Sequence, residues 1–140
     1  LLGRTARDES ALRDRAMLAL ERVYAGGLAE RRADTLAYPE TKRVSLARAL
    51  ISEPKILLLD EPAGGLGKED IDWLGKVIKN VQRECSVILV EHHMDVVMSI
   101  CNRIYVLNFG QIIASGTPQE VRNDPAVIAA YLGAASVAHK

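Results

Sequence analysis

The sequence predicts an α/β protein organised around parallel strands. Two short, continuous apolar runs, at residues 56–59 and 86–90, flank a segment whose apolar residues recur at helical spacing. Such runs are typical of strands that are buried on both faces of a parallel sheet. A strand–helix–strand unit of this length forms a right-handed crossover between parallel neighbours. We therefore expect both strands to end at one sheet edge, where open α/β sheets bind ligands.

Composition narrows the possible partners. The 140 residues include 18 basic and 18 acidic side chains, so no global field attracts nucleic acid. Aromatic residues make up only 4%, which also argues against base stacking. Cys85 and Cys101 form no metal-binding or redox motif and suggest reduced cysteines of a cytosolic protein. No apolar run is long enough to cross a bilayer, so we expect any membrane connection to go through a partner.

Helices are predicted before the first strand. Apolar residues on one face mark the first of them, which Gly26-Gly27 is expected to end. A second helix is predicted to open at residues 36–43, where Pro39 suits a first helical turn. The amino terminus of a helix can bind an anion, although this pattern also fits an ordinary loop-to-helix junction.

Acidic residues follow the first strand directly. Asp60 and Glu61 precede Pro62, which disfavours helical geometry at Glu61. One carboxylate of such a pair can hold Mg²⁺, and the other can orient or deprotonate a water beside a phosphate. The alternative is a solvated acidic turn. Glu91 and His92 follow the second strand, so the topology predicts them at the same edge.

The carboxyl-terminal part is predicted to hold a hairpin and helices. Residues 108–110, Asn-Phe-Gly, separate two apolar runs and indicate the hairpin. Residues 117–120 form a capping box with proline at the first helical position. Residues 124–125, Asp-Pro, are expected to open a last helix that Gly133 stops.

Five motifs resemble, in their order along the chain, the second half of an ATP-binding cassette (ABC) ATPase; they lie at residues 36–40, 47–50, 56–62, 63–66 and 91–92. Each motif alone is weak, but the ordered set of five covers nearly the whole chain. The resemblance implies an α/β, partial P-loop NTPase fold with parallel strands, a helical signature segment, and a C-terminal hairpin and helices. We divide the chain into a signature segment (1–54), a Walker B to switch-histidine core with the hairpin (55–115), and a helical extension (116–140).

The resemblance also implies roles for single residues. Asp60 is expected to be the Walker B aspartate that binds Mg²⁺, Glu61 the catalytic glutamate and His92 the switch histidine. ATP and Mg²⁺ are the implied cofactors. The implied cofactor-binding positions form the signature loop and the D-loop, namely Leu36, Ala37, Tyr38, Pro39, Glu40, Ala63, Gly64, Gly65 and Leu66.

The closing residues 116–133 resemble the C-terminal extension of ATP-binding subunits of branched-chain amino acid transporters. Urea and lipopolysaccharide exporter relatives carry similar tails. The family implies coupling of ATP hydrolysis to solute import and a second ATP-binding subunit, in a homo- or heterodimer. It also implies transmembrane permease subunits and, indirectly, a solute-binding protein, but no nucleic acid. The expected location is cytoplasmic, on the inner face of the plasma membrane.

Three departures from the family pattern leave alternatives open. No G-x-x-x-x-G-K-[ST] loop occurs in the sequence, Pro39 replaces the signature glycine, and His93 stands where relatives usually carry aspartate. The first two favour a truncated cassette, inactive alone, that serves as a dimerisation or regulatory module. A third possibility is an unrelated metal-dependent hydrolase that uses Asp60, Glu61 and both histidines, but no H-E-x-x-H spacing supports it.

Overall fold

The computed structural model describes the backbone of residues 2–135 and the side chains of residues 8–130. The chain packs as two units that divide between Val90 and Glu91. The expected segment boundaries after residues 54 and 115 stay a prediction. The helices are α1 (Leu2–Arg22), α2 (Tyr38–Leu50), α3 (Lys68–Val81), α4 (Met94–Ile100), α5 (Pro118–Arg122) and α6 (Pro125–Ala135); the strands are β1 (Ile56–Asp60), β2 (Ser86–Val90), β3 (Ile104–Asn108) and β4 (Gln111–Gly116).

The predicted parallel strands form the sheet of the first unit. β1 and β2 pair in parallel, and their last residues, Asp60 and Val90, lie side by side. The pairing continues one residue further, because the Glu61 N–H donates to the Val90 carbonyl over 2.8 Å. Helix α3 connects the two strands. The carboxyl ends of the strands therefore meet at one edge, as the sequence predicts.

Apolar residues from α1, α2 and α3 build the core of this unit. The side chains that are at most 2% exposed include Val23, Leu50, Leu74, Val77 and Ile78. The buried indole N–H of Trp73 donates to the carbonyl of Val23 over 2.7 Å. This bond ties α3 to the chain just after α1 and satisfies a polar group that would otherwise be buried without a partner.

One face of the β1–β2 sheet is exposed, which corrects the expectation that both faces are buried. Ile56, Leu58, Ile88 and Val90 are 54–70% exposed, whereas Leu57 on the opposite face of β1 is 5% exposed. Successive side chains of a strand point to opposite faces, so the alternation shows that only one face is covered within this unit. The apolar sequence of these strands suits a sheet that is covered on both faces, but the residues of the first unit pack against only one face.

The second unit contains the predicted hairpin. β3 and β4 are antiparallel, and Asn108 pairs with Gln111 across a two-residue loop. Both loop residues, Phe109 and Gly110, have positive φ angles, of 46° and 79°, as the tight hairpin turns that match strand twist require. The core beneath the hairpin consists of Ile104, Val106, Ala114, Val121 and Val127.

Both cysteines are free thiols. Cys85 is buried, and Cys101 is half-buried. Burial raises the pKa of the Cys101 thiol, because the low-dielectric surroundings disfavour the thiolate.

The capping box of α5 forms as predicted. The Glu120 carboxylate accepts a bond from the N–H of Thr117 over 2.8 Å and one from the Thr117 hydroxyl over 2.9 Å.

These two bonds lower the pKa of Glu120 from its ordinary 4.5, and the bond from the backbone N–H has the larger effect. Because the folded pKa is depressed, the cap's contribution is fully present above the unfolded pKa and is lost as pH falls through the folded pKa. A ¹³C NMR titration should place the Glu120 midpoint below 4.5, and a midpoint at or above 4.5 would contradict the cap.

Candidate functional site

The carboxylate pair lies where β1 ends. Asp60 and Glu61 are both exposed, and Glu61 has a φ of 43°. This left-handed conformation is uncommon for a residue with a side chain and is often found at functional sites. Here Pro62 restricts Glu61, while two backbone bonds hold it: its N–H donates to Val90, and its carbonyl accepts the N–H of Gly64 over 3.1 Å. The chain thus turns sharply at the second carboxylate.

The two loops that the family resemblance identifies are in direct contact. The Tyr38 hydroxyl, in the signature loop, donates to the Gly64 carbonyl in the D-loop over 3.1 Å. Gly65 has a φ of 73°, and a Cβ placed there would lie 3.0 Å from the Tyr38 ring. A side chain at residue 65 would therefore be strained and would press on the tyrosine. No sequence pattern indicates this contact.

The residues of the signature loop occupy the start of α2. Pro39 lies in the first turn of the helix, as predicted. The Ala37 N–H donates to the Glu40 carboxylate over 2.8 Å, and Glu40 also pairs with Arg31 at 2.6 Å. Two residues of the loop therefore cannot donate a backbone hydrogen bond to an anion in this conformation. Pro39 has no N–H, and the Ala37 N–H is already bound to Glu40. Leu36 and Ala37 are extended, Ala63 is buried, and Gly64, Gly65 and Leu66 lie in the turn before α3.

A cleft of about 190 Å³ opens beside Asp60. Its lining includes the polar residues Lys42 and Ser45 and the apolar residues Leu58 and Trp73. The Lys42 ammonium lies 5.5 Å from the centre of the Tyr38 ring. The lining contains no glycine-rich backbone of the kind that cradles phosphates. Asp60 itself offers hard carboxylate oxygens, which suit Mg²⁺ held largely by water and phosphate oxygens.

The predicted switch histidine follows β2. Val90 lies beside Asp60, and Glu91, His92 and His93 are the next residues in the chain. The approach of His92 to the carboxylate pair stays a prediction. Within the described part of the chain, Glu91, His92 and His93 are the residues whose potential metal-ligating atoms cluster within 4.8 Å of one another. Hydrogen bonds between Glu91 and His93 account for part of this closeness.

Among residues 2–135, no helix is both long and apolar enough to cross a bilayer.

Two family models match the chain: one described as ABC transporter over residues 2–64, and one described as branched-chain amino acid ATP-binding cassette transporter over residues 111–137.

Curated relatives agree with these models. LivG of Salmonella typhimurium, a high-affinity branched-chain amino acid transport ATP-binding protein, is 44% identical over 131 residues, which make up 92% of this chain and 51% of LivG. BraF of Pseudomonas aeruginosa, which bears the same description, is 45% identical over 118 residues, or 83% of this chain and 46% of BraF. The chain thus spans about half the length of these relatives.

Solved structures show the same fold. MJ1267, described as an ATP-binding cassette of an ABC transporter in its ADP conformation, matches with a TM-score of 0.76 at 30% identity. The match covers 86% of this chain and 49% of MJ1267. The chain therefore belongs to the ATP-binding cassette family and has a partial P-loop NTPase fold. Within that family, the model that matches residues 111–137 and the curated relatives are of the branched-chain amino acid transporter type.

Proposed function

We propose that this chain is the signature and Walker B part of an ABC ATPase that couples ATP binding and hydrolysis to solute import. The observation that carries the proposal is the position of Asp60 and Glu61 at the carboxyl end of a strand paired in parallel with β2. Branched-chain amino acids are the proposed solutes, because the relatives LivG and BraF are described as transporting them.

The residue roles follow from the chemistry of phosphoryl transfer. Asp60 would bind Mg²⁺, which when present neutralises charge on the phosphates. Glu61 polarises the attacking water, and His92 contacts the γ-phosphate. The signature loop and D-loop take part in binding ATP, and their contact through Tyr38 supports a shared role. Pairing with a second ATP-binding subunit completes each site.

The assembly proposed here is peripheral to the membrane. The ATP-binding dimer docks on transmembrane permease subunits at the cytoplasmic face of the plasma membrane, and a solute-binding protein delivers the solute. The test is ATP-driven uptake of labelled leucine by the complete transporter in proteoliposomes. Uptake that is competed by isoleucine and valine, but not by urea, supports the proposal. ATP-independent uptake, or none, would contradict it.

A second candidate function has a specific observation in its favour. Pro39 lacks an N–H, and the Ala37 N–H is bound to Glu40, so the signature loop is poor in free donors. These features suit a catalytically inactive, truncated cassette that acts as a dimerisation or regulatory module. Calorimetry separates the two functions when this chain is titrated with ATP and also with a second cassette subunit. Tight subunit binding that does not depend on ATP supports the regulatory module.

Pro39→Gly is expected to raise the ATPase activity of the assembled transporter. Glycine restores a backbone donor near a γ-phosphate, and one such donor at a charged transition state is worth about 10²- to 10³-fold in kcat. The measurement is steady-state kcat at saturating Mg·ATP. Pro118→Gly is the matched control, because Pro118 occupies the corresponding first-turn position of α5. Unchanged or lower activity of Pro39→Gly would show that the site tolerates proline.

A further inference from the structure

The side chain of Glu91 is buried at the start of the second unit, with none of its side-chain surface exposed. One oxygen, Oε2, accepts the backbone N–H of His92 over 2.9 Å and that of His93 over 3.1 Å. The same oxygen lies 2.9 Å from Nδ1 of the His93 ring and 3.7 Å from Nδ1 of the His92 ring. A single carboxylate thus meets two peptide groups and two imidazoles.

These contacts restrict the backbone on which His92 stands. Hydrogen bonds to a carboxylate are shorter and about twice as strong as neutral ones. Two successive N–H groups bound to one oxygen fix the peptide planes before and after His92. The rings of His92 and His93 lie 4.2 Å apart, so the position of each ring also limits the other. The His92 side chain remains 62% exposed, which leaves it accessible to a ligand.

We propose that Glu91 is a positioning residue for the switch histidine and that His93 completes a clamp, defined as Glu91, His92 and His93. This inference rests on the proposed ATPase function. It also accounts for His93, which replaces the aspartate usual in the family. An imidazole can donate its Nδ1 proton to Glu91, whereas an aspartate cannot. The clamp keeps His92 in place before a phosphate arrives, so the binding energy of ATP need not order it.

The geometry of the clamp is tested by hydrogen exchange in the complete cassette without nucleotide. Glu91→Ala should make the amides of His92 and His93 exchange roughly tenfold faster, because each loses a charge-assisted bond. Glu91→Gln keeps an acceptor oxygen and should retain most of the protection. Glu120→Ala is the matched control: that carboxylate also accepts a backbone N–H, from Thr117, within the same unit. It should speed exchange near Thr117 only.

The catalytic consequence is tested by steady-state kinetics on the same variants. Glu91→Ala should lower kcat by roughly 10- to 100-fold, while the KM for ATP changes less than about threefold. Glu91→Gln should remain within about fivefold of the unmodified cassette, because the acceptor geometry survives. Glu120→Ala should leave kcat unchanged.

The outcomes separate the clamp from the proposed function. Unchanged exchange at His92 and His93 in Glu91→Ala would overturn the clamp itself. Faster exchange with unchanged kcat, or equal loss of kcat in Glu91→Ala and Glu120→Ala, would overturn the positioning role. If the unmodified cassette hydrolyses no ATP, the proposed function fails and the positioning role fails with it, while the exchange data still decide whether the clamp exists.

Discussion

Glu61→Gln in the complete cassette is expected to lower kcat for ATP hydrolysis by about 100-fold or more, with ATP affinity almost unchanged. Glutamine keeps the size of the side chain and an acceptor oxygen but loses the base that polarises water. The residue follows β1 in a left-handed conformation held by backbone bonds to Val90 and Gly64. Those bonds do not involve the side chain, so the variant should fold normally. The measurements are phosphate release at saturating Mg·ATP and binding of a fluorescent ATP analogue.

A second glutamate provides a closely matched control. Glu53 is also exposed and also has a positive φ, of 50°, but it lies in the turn between α2 and β1. Glu53→Gln should therefore hydrolyse ATP at the unmodified rate. Turnover of Glu61→Gln within about threefold of the unmodified rate would remove Glu61 from the mechanism, since loss of a general base typically costs 10²- to 10⁴-fold.

The 140-residue chain by itself is expected to show no ATP hydrolysis above background. Phosphoryl transfer depends on positioning and charge neutralisation by a glycine-rich loop, its lysine and a hydroxyl that binds Mg²⁺. The sequence contains no such loop. Lys42 and Lys55 are no substitutes, because neither follows a glycine-rich turn. Lys68 does follow the glycines of the turn between β1 and α3, but the next residue is Glu69, where the loop requires a Ser or Thr hydroxyl for Mg²⁺. Lys42 lies over the ring of Tyr38.

The assay needs a monodisperse sample with Mg·ATP, and its control is the chain carrying Glu61→Gln. A contaminating ATPase gives the same signal in both samples. Turnover that disappears in Glu61→Gln would contradict the expectation and would require a different phosphate-binding site within these residues.

Sequence patterns predict the backbone of this protein better than its side-chain contacts. The apolar runs around residues 56–59 and 86–90 indicate parallel strands, and the crossover rule then places Asp60 beside the end of β2. The hairpin follows from the turn residues at 108–110. These features depend on local periodicity and chain connectivity, which a single sequence contains.

The contacts that shape the candidate site depend on tertiary packing and could not be read in advance. The bond from Tyr38 to Gly64 joins residues 26 positions apart, and no periodic pattern records it. Pro62 disfavours a helix at Glu61, but the bond to Val90 that holds the left-handed backbone there is not visible in the sequence. The burial of the Glu91 side chain likewise depends on packing, which no sequence pattern records. The strands themselves do not tell that one sheet face is exposed, because an apolar run indicates the environment that suits it and not whether the chain supplies that environment.

That exposed face has a thermodynamic consequence. Side chains such as Leu58 and Ile88 contribute little to the stability of the first unit, because they stay largely in water. Their contribution is realised only when another surface covers them, whether from a further segment or a second molecule. By mass action, the apparent stability of this unit is then a function of the concentration of whatever binds there, and no single free energy of unfolding characterises the chain.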